Sequence, residues 1–351
     1  MLKLTQKDQK IINIFLKRGT GQSSNVRSEM LKSGEDVSLV TVKRALSSMA
    51  VKGILTILGS GRSTSYNVTL AGRILADIDA KKYCAIEPDK RYGLNNYNFD
   101  LLRGMPDNIF TDDELQRLRE ATAEYKSRNS DLPPAIQKKE LERLVIELSW
   151  KSSKIEGNTY TLLDTERLIL ENKEAFGHSK KEAQMILNHK DAFKYIRQNP
   201  AQFKTVNRKN LEELHAILVK DLSVGLGLRA KPVGVTGSKY LPLDNIHQIS
   251  EAVDILSGVI SRMKNPYAKA LIALLGIGYI QPFEDGNKRT SRLMANALLM
   301  AHSLAPLSYR SVDENDYREG ILVFYELNSI VPMKMIFIDQ YDFAAKNYLV
   351  K

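Results

Sequence analysis

The stretch that decides the fold runs Gln281-Pro-Phe-Glu-Asp-Gly-Asn-Lys-Arg-Thr-Ser-Arg292. It lies between an apolar run, residues 270–280, and a helix-like run, Leu293-Met-Ala-Asn-Ala-Leu-Leu-Met-Ala. Pro282 is expected to stop the first helix, and the Glu-Asp-Gly-Asn turn to open a second whose first turn carries Lys288, Arg289 and Arg292. Unpaired N–H groups at a helix start attract anions, Gly286 admits a ligand close to the backbone, and one helical turn clusters the cations. Asp285 adds a carboxylate beside that cradle. A carboxylate next to bound phosphates is the usual setting for Mg²⁺, which keeps waters and takes few protein oxygens. The local chemistry therefore points to a metal–polyphosphate ligand, with Mg²⁺ as the metal. The plain alternative is an ordinary helix–turn–helix connection with surface cations.

The stretch resembles the signature of the Fic/Doc (Fido) family, HxFx(D/E)GNGRxxR, with GNKR in the Doc-like branch. Eleven of its twelve positions agree once GNKR is allowed. The resemblance implies a mainly α fold, a Fic-type helical core with a β-hairpin flap. It implies transfer of AMP from ATP to a hydroxyl side chain of a protein target. By position, Asp285 would bind Mg²⁺, Gly286 and Asn287 would hold phosphates, and Arg289 and Arg292 would pair with the β and γ phosphates. Phe283 would pack below the loop. Lys288 stands where the family more often has Gly, a change that in the Doc branch accompanies γ-phosphate transfer, so a Doc-like kinase is an alternative.

Gln281 occupies the family's catalytic His position. An imidazole takes a proton near neutral pH, whereas an amide has no comparable basicity. Losing a general base costs on the order of 10²–10⁴ in rate and leaves binding groups in place. A natural slow enzyme or pseudoenzyme, a reaction needing no strong base, and an introduced substitution are the competing explanations.

Upstream, Ser152-Ser-Lys-Ile-Glu156-Gly157 matches the (S/T)xxxE(G/N) pattern of the family's inhibitory helix, with Leu141, Leu144, Val145, Leu148 and Ser152 along one stripe. The resemblance implies that Glu156 pairs with Arg292 and takes the space of the γ-phosphate. A carboxylate competes with phosphate for a guanidinium and repels a triphosphate. In some family members the same Glu activates water to remove AMP. Trp150 is assigned to the core.

Between these motifs, residues 159–205 read as two helices with Leu162, Leu163, Leu168, Ile169, Met185, Ile186, Phe193 and Ile196 facing inward. His178 and His189 are taken as structural. The alternating, glycine-interrupted run Val233-Gly-Val-Thr-Gly-Ser-Lys-Tyr-Leu-Pro242 suits the flap, with Val235, Thr236, Gly237 and Ser238 facing the acceptor. A flap edge can add a target segment as a further strand.

The chain has 351 residues, enough for two or three domains, and a net charge of +10. Residues 1–80 hold twelve Lys and Arg against six Asp and Glu, so over half the excess lies in under a quarter of the length. Three helices, one capped at Thr5, one running near Ser24 to Lys32 and one capped at Ser38, precede strand-like alternation in residues 54–58 and 65–69. That order resembles a winged helix, with residues 38–52 as recognition helix and Arg62 at the wing tip. Thr41, Lys43, Arg44 and Arg62 would then meet double-stranded DNA. Partner docking and inert spacing are the alternatives, and a DNA-binding regulator with a silent, nucleotide-sensing core is the second functional reading.

The expected divisions are 1–80 winged helix, 81–135 linker and lead-in helix, 136–160 inhibitory helix, and 161–351 Fic core with C-terminal helices. The helices expected at the end span 288–303, 313–327 and 331–348, with Leu293, Ala297, Ile321, Phe324, Met335 and Phe343 inward. A single cysteine, Cys84, permits no intramolecular disulfide and favours a reducing, cytoplasmic setting. No signal-peptide succession is seen, and no apolar run is long enough for a membrane. A homodimer is left open.

Overall fold

The computed structural model describes residues 4–130 and 132–349. The chain begins with α1 (Gln6–Arg18), α2 (Ser23–Lys32) and α3 (Leu39–Val51), then β1 (Leu55–Leu58) and β2 (Ser65–Val68). Thr5 starts α1 through a complete capping box with Asp8, and Ser38 accepts from the Thr41 N–H to start α3. Val42, Leu46 and Met49 are buried, while Thr41, Lys43, Arg44 and Arg62 are exposed as expected. The two strands pair antiparallel, Leu55 opposite Val68 and Leu58 opposite Ser65. β1 departs from alternation: only Leu55 is buried, and Ile57 and Leu58 face out.

The connector is more structured than its aperiodic sequence implies. Short helices α4 (Leu70–Ile74), α5 (Ala80–Cys84) and α6 (Phe99–Arg103) punctuate it. Tyr83 and Tyr97 are buried, the first bonded to Glu326 and the second stacked on Tyr279. The first unit is also tied to the far end of the chain. Ser329 Oγ donates to Ala76 O, and the Ile330 N–H donates to Ile74 O.

There follow α7 (Asp112–Asn129), opened by the Thr111–Glu114 capping box, α8 (Pro134–Ile155), α9 (Leu162–Glu171), α10 (Lys180–Gln198) and α11 (Arg208–Leu218). Then come α12 (Ile246–Arg262), α13 (Pro266–Ile280), α14 (Asn287–Ala301), α15 (Glu314–Leu327) and α16 (Val331–Asn347). α13 is the centre of the core: every residue from Ala270 to Ile280 is buried, and it packs against α14 and α12. Each large apolar side chain so buried stabilises the fold by about 1.5–3 kcal/mol. A helix apolar on all sides can only be an interior one.

Several expectations need correction. Residues 233–242 form no strand pairing. Among the described residues the one two-stranded sheet is β1–β2, and Leu241 makes a single parallel bridge to Asn96. Glycines at 234 and 237 and Pro242 leave too few consecutive ladder positions for a hairpin. Trp150 is half-buried, its Nε1–H donating to Tyr160 O and its ring lying under the Lys151 and Lys154 amines. Leu163 and Met335 point outward, because Leu168 and Met333 with Phe337 take the inward faces of their helices. Among the described residues no helix is long and apolar enough to cross a membrane.

Candidate functional site

α13 ends at Ile280 and Gln281 adopts a left-handed backbone, φ 51°. That residue, rather than Pro282, turns the chain. Residues 281–286 then loop back to Gly286, φ 81°, from which α14 starts with no side-chain cap. A Cβ at Gly286 would lie 3.1 Å from Val219 Cγ1, so glycine answers both to the backbone angle and to the close neighbour. Asn287 clasps the loop: its Oδ1 accepts from the Phe283 N–H and its Nδ2 donates to Phe283 O, both at 2.8 Å. Asn287 therefore braces the loop with its side chain.

Beneath the loop, the Phe283 ring stacks on His215 with centroids 3.7 Å apart. His215 Nε2 pairs with Asp285 O at 2.9 Å. Arg229 completes the support: its N–H donates to Pro282 O and its Nε to Gln281 O, at 3.0 and 2.6 Å. His215 and Arg229 carry no family motif and went unremarked in the sequence. A buried polar residue in an amphipathic helix and an arginine closing a Gly-Leu-Gly-Leu turn were the available signals.

Burial pushes His215 down to about 4, against the opposing hydrogen bond with Asp285 O. The unfolded chain titrates near 6.5. Stability from this neutral imidazole is therefore full above pH 6.5 and falls as pH drops towards 4, by about 2–3 kcal/mol. His189, wholly buried, is also held well below its ordinary value, by burial and then by Arg292 and Arg289. Urea unfolding at pH 7 and pH 4.5 should show the wild type losing stability and His215→Gln losing measurably less.

A cavity of about 220 Å³ opens over the loop, lined by Gln281, residues 284–289, Glu156 and the segment 233–236. A second, of about 460 Å³, shares Glu156, Val235, Thr236 and Lys288 and continues to Tyr317, Ile321 and Leu322. The expected ligand groups are thus brought together. Asp285 Oδ1 accepts from the Gly286 N–H at 2.6 Å and Oδ2 lies 3.3 Å from Arg289 Nη2. Its carboxylate is 56% exposed. Arg289 is buried, its Nη1 reaching Leu218 O at 3.5 Å.

Arg292 is wholly buried and held from α8. Its Nε donates to Ser152 Oγ and its Nη2 to Ser152 O, at 2.9 and 2.8 Å. Glu156 Oε1 lies 2.9 Å from the same Nη2, and Lys288 Nζ is 3.5 Å from Oε2. Burial opposes the charge on Glu156, but Arg292 and Lys288 outweigh it and hold the carboxyl below its usual range. Gly157, φ 95°, turns the chain away after the helix. The three residues of the upstream motif thus play separate parts: Ser152 anchors the guanidinium, Glu156 covers it, and Gly157 ends the element.

Gln281 is 7% exposed, and its Nε2 donates to Gly278 O at 2.6 Å. The amide nitrogen is committed to its own helix, and an amide oxygen accepts a hydrogen bond without taking a proton. Of the four expected flap residues, Val235 and Thr236 line both cavities and Gly237 lines the second. Ser238 turns away, its Oγ donating to Glu326 at 2.6 Å. Among the described residues no group of three or more His, Cys, Asp or Glu could hold a metal. An exposed Asp285 carboxylate beside the cavity fits an ion that takes its other oxygens from phosphates and water.

Residues 205–299 match the model of the Fic/DOC family. The Protein adenylyltransferase Fic of Nematostella vectensis is 31% identical over 175 residues, 48% of this chain and 41% of that protein. Its namesake in Drosophila willistoni is 36% identical over 157 residues, 44% of this chain and 31% of that protein. The chain spans less than half the length of these curated relatives. Among solved structures, a Fic domain containing signaling protein from Bacteroides thetaiotaomicron has a TM-score of 0.54 at 21% identity, over 66% of this chain and 96% of that one. A Fic family protein from Desulfovibrio desulfuricans has a TM-score of 0.57 at 20% identity, over 69% of this chain and 75% of that one. These likenesses establish a Fic-type fold.

Proposed function

We propose that this chain, which contains a Fic/Doc domain over residues 205–299, is a protein adenylyltransferase held back by Glu156 and slowed by Gln281. The observation that carries the reading is the placement of Glu156 against Arg292, at the rim of a cavity whose floor is the 281–289 loop. Gly286, Asn287 and the start of α14 would receive the phosphates, with Lys288, Arg289 and Arg292 supplying the countercharge. Asp285 would hold Mg²⁺, which when bound supplies charge neutralisation across the phosphates. The acceptor hydroxyl of a target protein would attack the α-phosphorus, forming the O–P bond and releasing pyrophosphate, while its proton passes to a base.

That base is the weak point. Gln281 can orient a hydroxyl through its amide oxygen and cannot take the proton, so the proton would go to solvent at a cost in rate. α-Labelled ATP with the Glu156→Gly, Gln281→His variant tests the chemistry: label on protein supports AMP transfer, and its absence refutes it. Label appearing only from the γ position would assign phosphorylation instead, the Doc-like alternative suggested by Lys288.

A second reading is favoured by residues 1–80, which we take for a winged helix that binds DNA. Exposed Thr41, Lys43 and Arg44 on α3, with Arg62 in the turn between β1 and β2, would meet phosphates and a groove. A gel shift on the protein's own upstream DNA should show a salt slope that falls by about 2 when Lys43 and Arg44 are changed to Ala. Binding unaltered by both changes would leave residues 1–80 as a protein-docking unit or spacer. A cytoplasmic location accords with the single cysteine.

A further inference from the structure

The segment that walls both cavities lacks a ladder of its own, so something else must define its position. Glu326 on α15 is wholly buried, and its carboxylate accepts from three groups: Tyr83 Oη at 2.7 Å, Arg91 Nη1 at 3.2 Å and Ser238 Oγ at 2.6 Å. A carboxylate in the interior is tolerated only with such partners. They come from the connector on one side and from the cavity wall on the other.

Arg91 extends the grip. Its Nη1 also donates to Gly237 O at 2.9 Å, its Nε to Ile86 O and its Nη2 to Cys84 O. Lys239 Nζ reaches back to Arg91 O, and the Leu241 N–H donates to Asn95 O at 2.6 Å. The connector is itself fixed on α15. The Leu94 N–H donates to Glu326 O at 2.7 Å, and a Cβ on Gly93, φ 115°, would come within 2.5 Å of that oxygen. The same helix supplies Tyr317 and Ile321 to the second cavity. One buried carboxylate thus sets the distance between two walls.

We infer that Arg91, Ser238 and Glu326 are positioning residues, a latch that fixes residues 233–238 over the cavity so that an acceptor side chain is held in line with the nucleotide. The inference rests on the adenylyltransferase reading for what the positioned segment does, and on geometry alone for the latch itself. An unladdered segment cut loose would sample many positions, and misplacement by about 1 Å costs on the order of 10² in rate. The residues proposed to receive the phosphates lie on α14 and the 281–286 loop, outside the latch, so nucleotide affinity should be spared.

Two measurements on the whole chain test this in the Glu156→Gly, Gln281→His background. Hydrogen exchange in peptides covering 233–243 should quicken about tenfold or more in Glu326→Gln, with α13 peptides unchanged. AMP transfer should fall about tenfold or more while the ATP dissociation constant shifts less than about threefold. Unchanged exchange at 233–243, or a parallel loss of ATP affinity and transfer, overturns the latch. If Glu326→Gln loosens α13 as well, Ser238→Ala decides, since among the described residues the Ser238 hydroxyl bonds only Glu326 and the Tyr240 N–H: faster exchange at residues 233–237, away from the Tyr240 amide, supports the latch and unaltered exchange there overturns it. Should the parent background bind no ATP, the functional reading fails while the exchange arm still judges the latch.

Discussion

Gln281→His is expected to raise AMP transfer by about 10²–10⁴ when Glu156 has first been replaced by glycine, the span that a positioned general base contributes. The substitution places an imidazole where the chain leaves α13 in a left-handed turn, φ 51°. Asn and His enter that backbone region more readily than most residues, so the new side chain fits the old angle. The Gln281 Nε2 bond to Gly278 O offers the imidazole the same anchor, leaving the other nitrogen towards the cavity. Single-turnover transfer of α-label gives the check. The rate should rise through an apparent pKa near that of imidazole, about 6.5. A rate equal to that of the Gln281 parent would mean that proton removal does not limit the reaction and that another group serves as base.

Glu156→Gly is expected to tighten ATP binding about ten- to a hundredfold, as judged by calorimetry in the presence of Mg²⁺. The carboxylate occupies Arg292 Nη2 at 2.9 Å and draws Lys288 to 3.5 Å, two cations that a triphosphate needs. A hydrogen bond between charged groups stabilises by about 1.5–3 kcal/mol, and ATP must displace it before binding. The penalty for a stranded guanidinium is softened by Ser152, whose hydroxyl and carbonyl remain on Arg292. The variant should therefore stay folded. No heat of binding in a folded Glu156→Gly protein would refute the nucleotide reading altogether.

How much of this was legible in the sequence follows from the range of the interactions. α13 and α14 were readable because an unbroken apolar run and a glycine turn are local properties; the bounds of α14 and the end of α13 came out within a residue or two, while α13 starts four residues before the apolar run. Glu156 and Arg292, 136 positions apart in the numbering, could be joined only through a family pattern. Periodicity says which face of a helix is buried and is silent on which buried group meets which. The supposed flap hairpin misled for a related reason. Alternation in residues 233–242 is a local pattern, whereas the partner that the segment prefers, residues 91–96, lies some 140 positions away and has no period of its own. His215, Arg229 and Glu326 were missed because a polar residue inside an apolar stripe declares burial without declaring purpose. The helix over Ile246–Arg262 went unnamed although its amphipathic stripe was present in the sequence.

Arg292 has two bonds to Ser152 that do not involve Glu156, so on the proposed reading a single carboxylate would separate a shut state from a receptive one. A stabilisation of about 1.5–3 kcal/mol corresponds to an equilibrium of roughly one in ten to one in a hundred. At any instant, then, a few per cent of molecules would stand unblocked. On the proposed reading the block would be one of degree, and millimolar nucleotide would recruit that minority by mass action without any dedicated activator.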